Sequence, residues 1–322
     1  MIAVIFLNMG GPDSLDAVRP FLFNLFTDRY IIELGPSWLQ PVIAWWIAKR
    51  RAPKSMETYR KIGGKTPLLA ISRAQAKAVE DLLRAEGMDV CCTVGMRYWH
   101  PRTPDVLEEL KERGIKRVLA FSLYPHYSRV TTGTSLDDFY RAASRLGMEF
   151  KTIDNWPDRP CYINSIAMLV KEAVSRYSLD TASPSFSLVY SAHSIPEHMI
   201  REGDPYLCNI KKTIHALEAR IGIKGELCFQ SRSGPVKWLE PATDDLLREL
   251  VSKGKKKILV IPISFVSDHV ETLCEIDMEY REMVEESGAE LMRIDSLNTR
   301  DDFINCMASM IKEKVKEAKW QR

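Results

Sequence analysis

Short runs of consecutive apolar residues recur along the chain, and each predicts a β-strand that is buried on both faces. The first run reads AVIFLN and combines β-branched and aromatic residues, as buried strands do. Seven further runs of similar character follow it. The eight predicted strands cover residues 3–8, 90–96, 116–123, 149–153, 186–192, 225–230, 256–264 and 289–294.

Segments with the periodicity of amphipathic helices lie between these runs. Because strand and helix alternate, we expect parallel sheets joined by right-handed crossovers. A junction with two prolines at 155–160 has four predicted strands on each side. The pattern therefore predicts an α/β protein of two lobes, each a four-stranded parallel sheet flanked by helices. The predicted helices cover residues 73–86, 104–113, 136–146, 162–177, 205–221, 242–253, 270–287 and 301–319.

The lobe boundaries follow from this alternation. The first lobe is predicted to span 1–155, the second to span 156–300, and a C-terminal helix to occupy 301–322. The first lobe has an insertion at about 12–70, between its first strand and its first regular helix, and connections of this length are usually functional. Three of the seven tryptophans lie inside it, at Trp38, Trp45 and Trp46.

Composition and charge narrow the classes of protein. The 45 basic and 43 acidic residues give a formal net charge of +2, which is too balanced for nucleic-acid recognition by charge. No run reaches the roughly 18 apolar residues of a membrane-spanning helix. The first six residues lack a basic region and a cleavage site, so no signal peptide is expected. We therefore expect a cytoplasmic protein.

Unusual residues follow six of the eight predicted strands. In open parallel sheets, ligands bind beyond the carboxyl ends of the strands. The segments after these six strands carry Gly, Pro, aromatic, His and acidic residues, which predicts a functional site at this edge. The segments cover residues 9–12, 97–101, 124–128, 193–196, 231–238 and 267–271.

A histidine and an acidic stripe stand out among these residues. His193 comes directly after a buried strand, which favours a functional role over the structural role that a lone histidine usually has. Glu271, Glu275 and Glu279 are four residues apart and would share one face of an α-helix. Such a stripe can hold a divalent cation or pass protons. The alternative is a solvated acidic face, favoured by the helix dipole.

Seven motifs, taken together and in order, resemble those of the ferrochelatase family. Each is weak alone, but seven in register over nearly the whole chain are highly specific. The resemblance implies insertion of Fe²⁺ into protoporphyrin IX at the end of haem synthesis. It also implies two Rossmann-like, chelatase-type lobes with the active-site cleft between them. The motifs are LNMGGP at 7–12, YRKIGG at 59–64, RYWHP at 97–101, YPHYS at 124–128, SAHSIP at 191–196, QSRSGPVKW at 230–238 and SDHVETL at 267–273.

The resemblance implies a role for each candidate residue. His193 is expected to take the pyrrole protons, with Glu271 facing it, and this pair is also expected to contact the metal. Asp268, Glu275 and Glu279 are expected to form an acidic path for protons or metal. Further residues are expected to line the porphyrin or to meet its propionates. The lining set is Met9, Tyr59, Arg97, Tyr98, Tyr124 and Trp238, and the propionate pair is Arg50 and Arg51.

The resemblance also bears on cofactors. Fe²⁺ is expected as a substrate, and no prosthetic group is expected. Some ferrochelatases carry a [2Fe–2S] cluster held by a cysteine-rich C-terminal tail and one internal cysteine. Here the last helix contains only Cys306, and Arg129 stands in the place of the internal cysteine, so we do not expect such a cluster.

Several alternatives remain open for the substrate and the class of protein. A second branch of the family acts on coproporphyrin III and typically has a tyrosine-bearing first motif, whereas Asn8–Met9 resembles the protoporphyrin branch. A chelatase for a more carboxylated tetrapyrrole such as sirohydrochlorin should have fewer aromatic residues. A haem or metal carrier would bind the porphyrin without inserting metal.

The tryptophan segment has two interpretations. Trp38, Trp45 and Trp46 precede basic residues that include Arg50 and Arg51. Aromatic and basic neighbours suit a bilayer interface, so we expect a pocket lip that touches the inner face of the cell membrane. The alternative is an ordinary buried helix. A further expected partner is the preceding porphyrinogen-oxidising enzyme, and we expect a monomer.

Overall fold

The computed structural model of the protein describes residues 1–232, 234 and 236–320. The chain forms two compact units. The first comprises Met1–Asn155 together with Ile304–Arg322, and the second comprises Trp156–Phe303. The C-terminal helix, expected as a separate segment, is therefore shared between the units, and most of it belongs to the first.

Each unit is built on a four-stranded parallel sheet, as the alternating pattern predicts. The strand order is β2-β1-β3-β4 in the first unit and β6-β5-β7-β8 in the second. The predicted α/β class, with two parallel sheets flanked by helices, is confirmed. The strands are β1 (Ile2–Asn8), β2 (Val90–Met96), β3 (Arg117–Ser122), β4 (Glu149–Ile153), β5 (Phe186–His193), β6 (Glu226–Gln230), β7 (Lys257–Pro262) and β8 (Glu290–Arg293).

Helices cover the sheets, and two segments are π-helices with hydrogen bonds from residue i to i+5. No helix of the described chain has both the length and the apolar character needed to cross a bilayer. The π-helices are π1 (Arg129–Gly133) and π2 (Glu271–Tyr280). The α-helices are α1 (Val18–Thr27), α2 (Gln40–Lys61), α3 (Leu68–Ala85), α4 (Thr103–Glu112), α5 (Thr134–Arg145), α6 (Pro160–Arg176), α7 (Glu197–Arg201), α8 (Tyr206–Ile221), α9 (Thr243–Ser252), α10 (Arg281–Glu286) and α11 (Asp301–Glu317).

The cores form where the apolar faces of the helices meet the sheets. In the first unit, Leu107 of α4 and Phe139 of α5 are fully buried against the sheet. In the second, Leu247 of α9 and Ile276 of π2 are fully buried in the same way. Burial of these side chains is the main favourable contribution to folding. It also holds π2 against its sheet.

The structure departs from the predicted helices in two places. The insertion between β1 and α3 is largely helical, because it contains α1 and the 22-residue helix α2. The predicted single helix 270–287 is instead π2 followed by the short α-helix α10. A residue spacing of four is compatible with both kinds of winding, so the sequence pattern did not distinguish them.

Candidate active site

His193 is the last residue of β5, and its backbone is held on both sides. Its N–H donates to the Ser264 hydroxyl over 3.0 Å, and its carbonyl accepts from the Tyr206 hydroxyl over 2.9 Å. Ser264 follows β7, and Tyr206 begins α8. Three elements of the second unit therefore position this residue, and sequence reasoning missed both supporting hydroxyls.

The imidazole of His193 has distinct neighbours at its two nitrogens. Nδ1 lies 2.6 Å from the carbonyl oxygen of Ser194. Because a carbonyl can only accept, Nδ1 carries a proton. Nε2 lies 3.5 Å from Oε1 of Glu271. The second nitrogen is therefore the one available for proton exchange or metal contact, and the predicted pairing of His193 with Glu271 is present.

Glu271 lies between two imidazoles. Its Oε2 is 3.1 Å from Nε2 of His269, whose Nδ1 is 3.1 Å from the Ser267 carbonyl. The Phe265 ring packs at 4.1 Å from the His269 ring and at 6.3 Å from the His193 ring, measured between centroids. Sequence reasoning assigned no role to His269 and missed Phe265. Their positions between β7 and the acidic motif were the available signal.

These contacts shift the protonation of the pair in opposite directions. Burial by itself lowers the pKa of His193, but the Glu271 carboxylate, the Ser194 carbonyl and Glu275 outweigh burial and raise that pKa to about 9. Burial alone would raise the pKa of Glu271, but the two histidines lower it below its ordinary value. At neutral pH the pair is therefore an imidazolium beside a carboxylate.

The acidic stripe lies on π2 and runs from the interior to the surface. Glu271 is 20% exposed, Glu275 is half-buried and Glu279 is exposed. Glu275 accepts a hydrogen bond from the Ser231 hydroxyl over 2.8 Å. Burial and the nearby charge of Glu271 raise the pKa of Glu275 to about 7. The half-buried carboxyl can therefore both gain and lose a proton near neutral pH.

Asp268, expected in the acidic path, is engaged by other side chains. Its Oδ1 lies 3.0 Å from Nη1 of Arg293 and 2.7 Å from the Ser296 hydroxyl, and its Oδ2 accepts from Asn298 over 2.7 Å. Burial alone would raise the pKa of Asp268, but Arg293 and these hydrogen bonds lower it. Its place in a proton or metal path stays a prediction. Within the described residues, no three His, Cys, Asp or Glu side chains converge as a metal site.

In the first unit, the predicted porphyrin residues Met9, Arg97 and Tyr98 lie at the carboxyl ends of β1 and β2. The Tyr98 N–H donates to the Met9 carbonyl over 2.9 Å. Nη2 of Arg97 and the Tyr98 hydroxyl both donate to Oδ2 of Asp28, each over 2.8 Å. Thr134 donates to the same oxygen. Asp28 was missed by sequence reasoning, because a single acid in an insertion carries no pattern.

The remaining porphyrin candidates differ in exposure. Tyr98 and Tyr59 are 2% and 7% exposed, whereas Met9 and Tyr124 are half-buried. In the second unit, Trp238 is half-buried and forms an isolated β-bridge with Pro196, three residues after His193. Ser233 and Pro235 of the same motif lie outside the described residues.

The tryptophans of the insertion lie on the surface. Trp38, Trp45 and Trp46 are 76%, 40% and 61% exposed, so the alternative of an ordinary buried helix is wrong for them. The rings of Trp45 and Trp46 meet edge to face at 5.2 Å. The Lys49 ammonium lies within 5.5 Å of both rings. Arg50 and Arg51 are also exposed on α2.

Comparison with known proteins decides the family. The family model described as Ferrochelatase matches residues 1–315. A ferrochelatase from Geotalea uraniireducens (strain Rf4) is 47% identical over 317 residues, which cover 97% of this chain and 98% of the relative. The chain belongs to the ferrochelatase family. A ferrochelatase from Desulfotalea psychrophila (strain LSv54 / DSM 12343) is likewise 47% identical, with 96% of each chain covered.

Membership of the ferrochelatase family makes the chain a metal chelatase that inserts a metal into a porphyrin in haem synthesis. A solved structure with a similar fold is the sirohydrochlorin chelatase SirB from Bacillus subtilis subspecies spizizenii in complex with cobalt. It has a TM-score of 0.57 at 9% identity and covers 99% of this chain and 97% of its own. At that identity the likeness concerns the chelatase-type fold alone.

Replacing Glu271 by glutamine should lower the pKa of His193, because the carboxylate that raises it is removed while burial remains. In the unmodified protein we expect His193 to lose its proton near pH 9, and in Glu271→Gln well below that pH. The measurement is ¹⁵N NMR titration of the imidazoles, with the His193 signals assigned by their loss in His193→Gln. Glu279→Gln is the control and should leave the titration unchanged. Equal titration midpoints in Glu271→Gln and the unmodified chain would contradict this account.

Proposed function

We propose that the protein inserts Fe²⁺ into protoporphyrin IX and releases two protons to give protohaem. The observation that carries the proposal is the pair of His193 and Glu271, 3.5 Å apart at the end of β5, with an acidic helix leading from it to the surface. The pair offers a proton acceptor, the His193 imidazole, together with a nitrogen and an oxygen that can both bind a metal ion.

The chemistry requires a base. Metal cannot enter the porphyrin until two pyrrole N–H protons leave, and these are very weak acids. His193 accepts them at Nε2 once its own proton has left, and Glu271 stabilises the imidazolium that forms. Because the pKa of His193 is about 9, proton removal from the resting pair is part of each cycle.

The acidic helix supports an outward route for these protons. Glu275, with a pKa of about 7, can take a proton from the interior and release it again near neutral pH. Glu279 is exposed and delivers the proton to solvent. Asp268 is proposed to belong to the same path, and its oxygens are bound by Arg293, Ser296 and Asn298.

Fe²⁺ is proposed to contact the same pair before it enters the ring, once Nε2 of His193 has lost its proton. An imidazole nitrogen and a carboxylate oxygen are both ligands that iron accepts. Two protein donors make a weaker hold than a closed site with three or four, which favours transfer to the four pyrrole nitrogens. No prosthetic group takes part in the proposal.

The residues predicted to line the porphyrin are proposed to bind it. In the first unit, Met9 and Tyr124 offer half-buried surface at strand ends, and in the second Trp238 does so beside Pro196. Tyr59, Arg97 and Tyr98 complete the proposed set, and the last two are held by Asp28. Arg50 and Arg51 are exposed residues, and guanidinium groups suit the propionates.

The exposed tryptophans support contact with a membrane surface. Trp38, Trp45 and Trp46 present aromatic surface next to basic side chains, the combination that suits a bilayer interface. We propose that this face rests on the inner leaflet of the cell membrane, where an apolar porphyrin is collected. The preceding porphyrinogen-oxidising enzyme is the proposed supplier.

The unmodified chain should convert protoporphyrin IX faster than coproporphyrin III or sirohydrochlorin. The assay is anaerobic incubation with Fe²⁺, or aerobic incubation with Zn²⁺, while the Soret and Q bands are followed. Faster turnover of coproporphyrin III would assign that substrate instead. Absence of insertion with all three tetrapyrroles, in protein shown to be folded, would leave only the carrier hypothesis.

Replacing His193 by alanine should slow insertion by about 10²- to 10⁴-fold, the usual contribution of a general base. Porphyrin binding, measured by fluorescence quenching, should change little because the apolar lining remains. His198→Ala is the matched control, since His198 is exposed on the neighbouring helix α7. Insertion by His193→Ala at the rate of His198→Ala would exclude the proposed base.

Replacing Trp45 and Trp46 together by serine should weaken binding to liposomes more than it lowers the free energy of unfolding. Both side chains are exposed, so the fold loses little when they are removed. The measurements are liposome co-sedimentation and urea unfolding. Met168→Ser, which removes an exposed apolar side chain on α6, is the control and should leave sedimentation unchanged. Unchanged liposome binding by the double variant would refute the proposed membrane contact.

A further inference from the structure

Arg293, the last residue of β8, makes an extensive set of charged contacts in the second unit. Its Nε and Nη2 donate to the two oxygens of Asp277 over 2.9 and 2.7 Å, a forked pairing. Its Nη1 donates to Asp268 over 3.0 Å and to the Ile294 carbonyl over 3.1 Å. The side chain is 8% exposed. A buried guanidinium is tolerated only when its donors are satisfied in this way.

Both carboxylates belong to the segment that carries the acidic stripe. Asp268 precedes π2 and accepts a hydrogen bond from the Thr272 hydroxyl, which is inside π2. Asp277 lies in the second half of π2. One guanidinium therefore ties both ends of the segment that contains Glu271 and Glu275 to the end of β8.

Such a tie matters because a π-helix is an unfavourable conformation. Regular π-helices are rare, and most occur as single-turn bulges within α-helices, whereas π2 extends over ten residues. In an α-helix of 3.6 residues per turn, a residue four positions on passes one full turn. In a π-helix, with hydrogen bonds from residue i to i+5, the residue four positions on falls short of one full turn. A change from π to α winding would therefore rotate Glu275 relative to Glu271.

We propose that Arg293 is a positioning residue of the chelatase reaction: it holds π2 in its π conformation and thereby sets Glu271 and Glu275 relative to each other. The inference builds on the proposed function, in which these two carboxylates serve the base and the outward proton route. Arg293 does not touch the substrate. Its effect passes through Asp268 and Asp277.

The test compares Arg293→Lys and Arg293→Gln with matched variants of a second arginine. Arg300 also binds two carboxylates, those of Glu172 and Asp302, but neither belongs to π2. Arg300→Lys and Arg300→Gln are therefore the controls. Lysine keeps the positive charge at position 293 but cannot make the two parallel hydrogen bonds to Asp277, so it separates the effect of charge from that of the paired hydrogen bonds. Arg293→Lys is also the variant expected to fold if Arg293→Gln does not.

Two measurements are made on each full-length variant. The first is steady-state Zn²⁺ insertion into protoporphyrin IX. We expect kcat to fall by about 10- to 100-fold in both Arg293 variants, as for residues that orient catalytic groups, with KM for the porphyrin within about twofold. The second is amide hydrogen exchange by mass spectrometry. We expect faster exchange in 271–280 and unchanged exchange in β5.

Several results would overturn the inference. Wild-type kcat with unchanged exchange in 271–280 in Arg293→Lys would show that Arg293 does not position the helix. Faster exchange throughout the second unit, matched by the Arg300 variants, would assign Arg293 to general stability. If the unmodified protein inserts no metal, the proposed function fails. The exchange data would still decide whether Arg293 holds the π-helix.

Discussion

The carboxylate of Glu271 determines much of the chemistry at the end of β5. It lies within 3.5 Å of His193 and 3.1 Å of His269, in surroundings where charge is poorly solvated. One negative charge between two imidazoles favours the imidazolium form of His193 and disfavours protonation of the carboxyl. The same charge raises the pKa of Glu275. The protonation states of His193, Glu271 and Glu275 are therefore coupled, and displacement of Glu271 would alter those of the other two.

The position of Glu271 depends in turn on the helix that begins with it. π2 buries Ile276 in the core of the second unit, which holds one face of the helix. Arg293 binds Asp268, which precedes the helix, and Asp277 in its second half. Packing and ion pairs together can offset the cost of a winding that is rare in proteins. The acidic side chains of π2 thus belong to a helix that is held by packing and ion pairs within the second unit.

The first unit contains a comparable polar cluster. Asp28 accepts from Arg97, Tyr98 and Thr134, which lie after β2 and at the start of α5. It connects the end of α1 with the segment after β2 and with the start of α5. Tyr98 is almost fully buried and its hydroxyl belongs to this cluster, whereas its neighbours Met9 and Tyr124 are half-buried.

Local patterns in the sequence were enough to predict the eight strands, most of the helices and the two parallel sheets. Burial on both faces of a strand is encoded in consecutive residues, and amphipathic periodicity in one turn after another. The same reasoning singled out His193 at the end of β5 and Glu271 in the segment after β7, and the ordered motifs were sufficient for the family.

Only the tertiary structure decided which distant groups meet. The contacts of Asp28 with Arg97, of Tyr206 with His193 and of Arg293 with Asp277 join residues from different elements, and no local spacing predicts them. The sequence likewise did not predict that π2 is a π-helix, because a four-residue spacing fits both an α-helix and a π-helix. The sheet topology brings the elements together, and the side-chain contacts then select one conformation.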